Sequence, residues 1–282
     1  MIADRYRLDE LIGSGPMGEV WRGYDTRADW TVAVKVLGAG AASREVLRRH
    51  AQAVARVIHP NVAMVLDVGD QDGTPYLVTE FLTGESLGEE LAARGPLPIV
   101  EVCDLVGQAA AGLDAAHRAG VVHGKVEPDG FRRAGSGVLK VVGFGLAGQR
   151  PSGDRVRYSA PERLDGRPAE AAADMYALGC VCYELLCGRP PFEGTPDEVA
   201  GQHLRAEPAP PGGHRAEVPA ELDRLVLAML AKEPAARPSN GEAVRRTLAA
   251  IARPGSQPVP VPEPAPAPGP GAVPVPVPGT AP

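Results

Sequence analysis

Three of the chain's four lysines, Lys35, Lys125 and Lys140, stand in or beside two segments whose residue types could do chemistry. The first segment is Ile12-Gly13-Ser14-Gly15-Pro16-Met17-Gly18-Glu19-Val20, followed by Val32-Ala33-Val34-Lys35. Glycines at 13, 15 and 18 let backbone amides approach phosphate oxygens closely, and a lysine on the next apolar strand supplies counter-charge. Because this glycine frame precedes a strand rather than opening a helix, the dinucleotide-binding reading is excluded. By itself the frame is a weak signal, and a plain glycine hairpin would look the same. The second segment is His123-Gly124-Lys125-Val126-Glu127-Pro128-Asp129-Gly130, with Val142-Gly143-Phe144-Gly145 after it. It sets one histidine, one cation and two carboxylates among glycines, and Glu127, Asp129 or Glu19 could act as a base.

Three further segments fall in register with these: Ser159-Ala160-Pro161-Glu162, Asp174-Met175-Tyr176-Ala177-Leu178-Gly179 and Arg237-Pro238-Ser239. From about residue 6 to about residue 252 the chain therefore resembles the eukaryotic-like Ser/Thr protein kinases of bacteria. The resemblance implies an α+β, two-lobed fold. A β-rich N-lobe with one main helix and the hinge would span 1–82, a helical C-lobe 83–252, and a tail 253–282. It also implies a nucleotide site formed by Ile12, Gly13, Gly15, Gly18, Val20, Ala33, Lys35 and Arg132. The Glu80 carbonyl and Leu82 amide would meet an adenine edge, with Thr79 at the gatekeeper position.

Where the resemblance is followed residue by residue, the chemistry of the family departs. Its catalytic loop reads H-R-D-x-K-P-x-N: the Asp takes the substrate proton, the Lys steadies the phosphoryl group and the Asn holds a magnesium. Those positions are Lys125, Glu127 and Gly130 here, Gly124 replaces the arginine, and Gly143 replaces the aspartate that is the principal magnesium ligand. Loss of a general base costs ~10²–10⁴ in rate. His50 stands where a helix glutamate would fix Lys35, so that ion pair is lost, although a neutral imidazole could accept a hydrogen bond from the lysine. Arg132 replaces the apolar floor of the adenine pocket, where a guanidinium would stack on the base, fill the pocket or reach along its methylenes to solvent. In the activation segment the usual Gly-Thr reads Asp154-Arg155, and Ser152 and Ser159 are the hydroxyls left, so loop phosphorylation is not expected to be an on-switch.

Non-catalytic anchors are retained. His123, Phe144, Val54 and Val65 match the apolar column that joins the lobes, Asp174 matches the anchor of the lower lobe, and Glu162 pairs with Arg237. The expected function is a catalytically inactive, pseudokinase-like signalling or scaffold module that binds ATP or another nucleotide without magnesium, its lysines replacing the metal as counter-charge. The alternative is a weakly active or unorthodox ATP-dependent Ser/Thr protein kinase. A third class is a cleft that senses a small anion. The expected partner is a protein: an active kinase, a substrate or an envelope-associated factor.

Positioning these residues requires three antiparallel strands over 6–37, and a helix over 43–57 capped by Ser43 with Val46, Leu47, Val54 and Val57 on its apolar face. Strands over 63–68 and 75–80 follow, then helices over 86–94, 98–119, 174–188, 196–205, 219–231 and 239–252. At 282 residues and 44% hydrophobic content the chain can bury one core of two lobes. A net charge of −6 without a basic stripe argues against nucleic acid. No apolar run approaches the ~20 residues of a membrane span, so the expectation is a cytoplasmic protein. Cys103, Cys180, Cys182 and Cys187 form no C-x-x-C pair and are expected to be buried thiols in a reducing compartment. The stretch 253–282 is almost wholly Pro, Ala, Val and Gly, which buries no core; a spacer or disordered tail is favoured over a docking motif because no P-x-x-P spacing occurs.

Overall fold

The computed structural model describes residues 1–15, 18–38, 43–145, 151 and 153–253. The proline-rich stretch from 254 onward and Ser152 lie outside the described residues.

The N-terminal half begins with three antiparallel strands, β1 (Tyr6–Gly15), β2 (Gly18–Asp25) and β3 (Trp30–Leu37). With β4 (Val65–Gln71) and β5 (Thr74–Glu80) they form one five-stranded sheet in the order β1-β2-β3-β5-β4. Side chains alternate across a strand. Val32 and Val34 of β3 are fully buried on one face against Tyr6, Tyr76 and Val78, so Ala33 and Lys35 fall on the other face, toward the cleft. Gly18 is required where it is: its φ is +118°, and a β-carbon there would stand 1.9 Å from the Val36 carbonyl oxygen. The glycine hairpin thus lies flat on β3.

The helix α1 (Arg44–Val54) starts where expected, since the Ser43 hydroxyl accepts from the Val46 amide. Its buried stripe is Leu47, Ala51 and Val54, spaced four and three residues apart, whereas Val46 is 44% exposed. Val46 lies one residue, about 100°, off that stripe, which corrects its assignment to the apolar face. The β4–β5 hairpin also runs longer than expected. Its tight turn is Asp72-Gly73, both with positive φ (53° and 79°), and that turn type extends β4 to Gln71 and starts β5 at Thr74. Ala63 instead donates its amide to the Val141 carbonyl, outside the sheet.

Below the sheet come α2 (Leu87–Arg94), α3 (Ile99–Arg118), the short hairpin β6 (Phe131–Arg133) and β7 (Leu139–Val141), α4 (Pro161–Leu164) and α5 (Ala171–Cys187). Three more helices follow, α6 (Pro196–Arg205), α7 (Ala220–Met229) and α8 (Gly241–Ile251). α5 is buried on every side from Ala173 to Leu186 and is the axis of this half; a helix apolar all round must lie inside. α3 and α7 pack on it, and Cys103, Val106 and Ala110 of α3 and Leu222 and Val226 of α7 are buried in the same core. Cys103, Cys180 and Cys182 are buried in this core and Cys187 is half-buried. The architecture is the expected α+β fold of a β-sheet lobe with one main helix over a helical lobe. Among the described residues no helix is long and apolar enough to cross a membrane.

Candidate functional site

Between the sheet and the helical lobe lies a cavity of about 710 Å³, continuous in its lining with a second of about 220 Å³. Ile12, Gly13, Val20, Ala33, Lys35, Glu80, Leu82 and Arg132 line the larger one, beneath β1 to β3 and beside the hinge. Gly13, Val20 and Lys35 line the smaller one as well, together with Gly15 and Gly18. All ten residues expected to hold a nucleotide therefore border one cleft.

The lower wall is the segment His123 to Gly130. It is held from below by Asp174 in the first turn of α5: Oδ2 accepts the His123 amide at 2.8 Å and faces His117 Nε2 at 2.7 Å, while Oδ1 accepts the Gly124 amide at 2.8 Å. His123 is fully buried, its ring 4.8 Å from that of Phe144, and its Nε2 meets the Val142 carbonyl at 2.9 Å. Its Nδ1 accepts the Lys125 amide at 3.2 Å, which leaves Nε2 to donate to Val142 and ties the two segments together; burial lowers its pKa. Val54 of α1 is buried and Val65 of β4 is packed against the same core, completing the column. Arg237 makes two bonds to Glu162, at 2.7 and 2.8 Å, and three more to the carbonyls of Ala231, Ala172 and Lys232.

The polar groups in the cleft pair in ways the sequence did not show. Lys35 Nζ donates to the Phe144 carbonyl at 3.0 Å rather than to His50. His50 lines the same cavity, and the Lys35–His50 bond that a neutral imidazole could have accepted is not made. Burial, then the nearby Lys35 charge, pushes the His50 imidazole down to about 4. Burial and the neighbouring Lys125 push Lys35 down to about 8. Lys125 Nζ sits 2.6 Å from Glu127 Oε1. This pair offsets the added cation that Lys125 was expected to supply. Lys140 is drawn away to Glu80 at 2.8 Å, behind the hinge, and Glu80 also accepts the Met64 amide.

Residues 6–248 match the sequence profile of the family described as Protein kinase domain. The chain belongs to the protein kinase domain family. It is 37% identical over 279 residues to the probable serine/threonine-protein kinase PknB of Corynebacterium glutamicum, covering 90% of this chain and 43% of that protein. The serine/threonine-protein kinase PknB of Mycobacterium leprae is 34% identical over 269 residues, with 89% and 43% covered. That of Mycolicibacterium smegmatis is 35% identical over 270 residues, with the same coverage. The chain spans less than half the length of these relatives.

At two positions this kinase-domain chain lacks the oxygen donors a magnesium ion prefers. Gly130 and Gly143 carry no side chain, and a β-carbon at Gly143 would meet nothing within 4 Å. The nearest carboxylates are engaged, Glu127 with Lys125 and Asp129 with the Ser86 hydroxyl at 2.7 Å. Glu19 accepts the Trp21 indole N–H at 3.0 Å. Among the described residues no group of three His, Cys, Asp or Glu is placed to hold a metal.

Arg132 behaves as the least elaborate of its three readings. Its Nη1 donates to the Gly84 carbonyl at 2.8 Å and its Nη2 lies 3.2 Å from Glu89, so the guanidinium is tied to groups beside the hinge. A guanidinium filling the adenine pocket is thereby corrected. Arg155 was read as part of the activation segment and not as a residue of the cleft. Arg155, on the 3₁₀ turn Gly153–Tyr158, lines the smaller cavity, and its Nη2 comes within 4.0 Å of where a β-carbon on Gly15 would stand. Nothing local in the sequence announces this reach across 140 positions; it follows from how the turn is packed.

Proposed function

We propose that this chain is a non-catalytic kinase domain whose cleft binds ATP or another nucleotide without a metal ion, and whose folded surface engages a protein partner. The observation that carries the reading is the pair Lys125–Glu127 at 2.6 Å. At the two positions where a working kinase sets a base and a phosphate-steadying cation, the charges are exchanged and satisfy each other. A lysine at the base position cannot accept the substrate proton, because its ammonium has no lone pair. Gly130 and Gly143 leave no oxygen for magnesium, while Lys35, the glycine hairpin and the apolar walls keep a shape that fits a nucleotide. The anchors at Asp174 and Arg237 hold the helical lobe and the lower wall of the cleft in place. Recognition by protein surfaces needs this rigidity and no turnover.

Thermal denaturation with ATP, with and without Mg²⁺, tests the cleft. The expected result is the same stabilisation in EDTA as in Mg²⁺. A shift that requires Mg²⁺ contradicts metal-free binding, and no shift in either condition removes the nucleotide reading.

The second reading, a weakly active Ser/Thr kinase, is supported by the names of the relatives. It requires phosphate transfer from labelled ATP that disappears in Lys35→Ala. Co-purification of a native host protein with both the wild type and Lys35→Ala favours the non-catalytic role.

A further inference from the structure

The smaller cavity brings together cations from separate parts of the chain. Lys35 enters from β3 and Arg155 from the 3₁₀ turn before α4, while Lys125, which also lines it, is offset by Glu127. Arg163 faces it too, with its Nη1 on the Arg167 carbonyl. The two carboxylates in its wall are already taken. Glu127 is bound to Lys125, and Asp174 is saturated by two backbone amides and His117. For the Arg155 guanidinium no hydrogen bond or ion pair is seen among the described residues. Gly13, Gly15 and Gly18 line the cavity as well, and the Arg155 Nη2 lies 4.0 Å from where a β-carbon on Gly15 would stand.

We infer that Arg155 binds the terminal phosphate of a polyphosphate chain, and that together with Lys35 it substitutes for the missing metal. This rests on the reading that the cleft takes a phosphate-bearing ligand, and it adds which phosphate is read and by what. The hinge residues Glu80 and Leu82 line only the larger cavity, and Arg155 only the smaller, so Arg155 stands at the end farthest from the base. A diphosphate reaching in from the hinge meets Lys35; a third phosphate reaches Arg155. A planar guanidinium offers two parallel donors to such an oxyanion and is always charged. Its turn is fixed to the helical lobe by Val156, packed on Phe192 and Val199, and by the Tyr158 hydroxyl on Glu184 at 2.7 Å. A terminal phosphate held by Arg155 under Gly15 therefore links the glycine hairpin to the activation segment.

The test is calorimetric titration of the full chain in EDTA with ATP, ADP and inorganic tripolyphosphate, for wild type, Arg155→Ala and Arg155→Lys. Wild type is expected to bind ATP and tripolyphosphate more tightly than ADP. Arg155→Ala should weaken ATP and tripolyphosphate about tenfold, leave ADP within about twofold, and keep the thermal midpoint of the free protein. Arg155→Lys should recover part of the loss. If ATP binds and Arg155→Ala leaves the ATP to ADP ratio unchanged, the inference is wrong while the nucleotide reading stands. If tripolyphosphate binds in an Arg155-dependent way but ATP does not, the inference stands and the nucleotide reading falls. If none of the three ligands binds, both fall.

Discussion

Lys35 Nζ and the Phe144 carbonyl oxygen are 3.0 Å apart, and this bond replaces the carboxylate partner that a lysine at this place ordinarily has. A neutral carbonyl supplies no compensating charge, so the ammonium is desolvated with only a dipole against it, and Lys125 nearby adds repulsion. Replacing it with an uncharged side chain of similar length should relieve that strain. Lys35→Met is expected to raise the thermal midpoint of the free protein and to abolish the ATP-dependent shift. A lowered midpoint would show that the bond to Phe144 outweighs the desolvation.

The empty positions at Gly130 and Gly143 can be refilled. A β-carbon at Gly130 would meet His123 and Lys125 no closer than 3.6 Å, and at Gly143 it would meet nothing, although φ there is +77°. Aspartate tolerates that region better than most residues, at a cost of about 1 kcal/mol. The double variant Gly130→Asn, Gly143→Asp should fold with a slightly lowered midpoint, and its stabilisation by ATP should become Mg²⁺-dependent. Equal shifts with and without the metal would mean that these two positions do not face the phosphates.

Arg237 is 5% exposed and bound to Glu162 and three carbonyls. Removing one member of a buried pair strands the other, so Arg237→Ala should destabilise by ~3–5 kcal/mol in chemical denaturation. Arg224→Ala serves as a control. Among the described residues Arg224 pairs only with Glu221 across an exposed helix turn, and its loss should cost under ~0.5 kcal/mol.

His50 and His203 give the fold a pH dependence of defined sign. Both imidazoles are pushed down to about 4 from 6.5, mainly by burial. His203 is fully buried, with its two nitrogens on the Tyr176 hydroxyl and the Arg157 carbonyl. In the unfolded chain they take up protons as pH falls through about 6.5, whereas in the fold they do so only near 4. Their contribution to stability is therefore complete above pH 6.5 and shrinks as pH falls toward 4. Urea midpoints at pH 7.5 and 5 should differ in that direction, and the difference should narrow in His50→Gln with His203→Gln. A difference of equal size in the double variant would assign the effect to other groups.

How much of this was legible beforehand depended on whether the signal was local. Strand alternation in Val32-Ala33-Val34-Lys35 and the Ser43 cap are near-neighbour properties, and each appears in the fold as read. The ten cleft residues came from motif spacing, and they do border one cavity. Val46 was misplaced because a single residue of rotation decides which side of a helix faces the core. The longer β4–β5 hairpin was missed although Asp72-Gly73 is a turn signal in plain view.

The amino-acid sequence by itself determined the family, the two-lobed fold and the residue types, Lys125, Glu127, Gly130 and Gly143, that stand along the cleft. These are statements about identity and order. Which charged group faces which was decided only in three dimensions. Lys125 closes on Glu127, Lys140 leaves for Glu80, Arg132 turns to Gly84, and Arg155 arrives beneath Gly15. The physical reason is that long charged side chains choose partners by distance and desolvation, and both are set by packing between segments far apart in the chain.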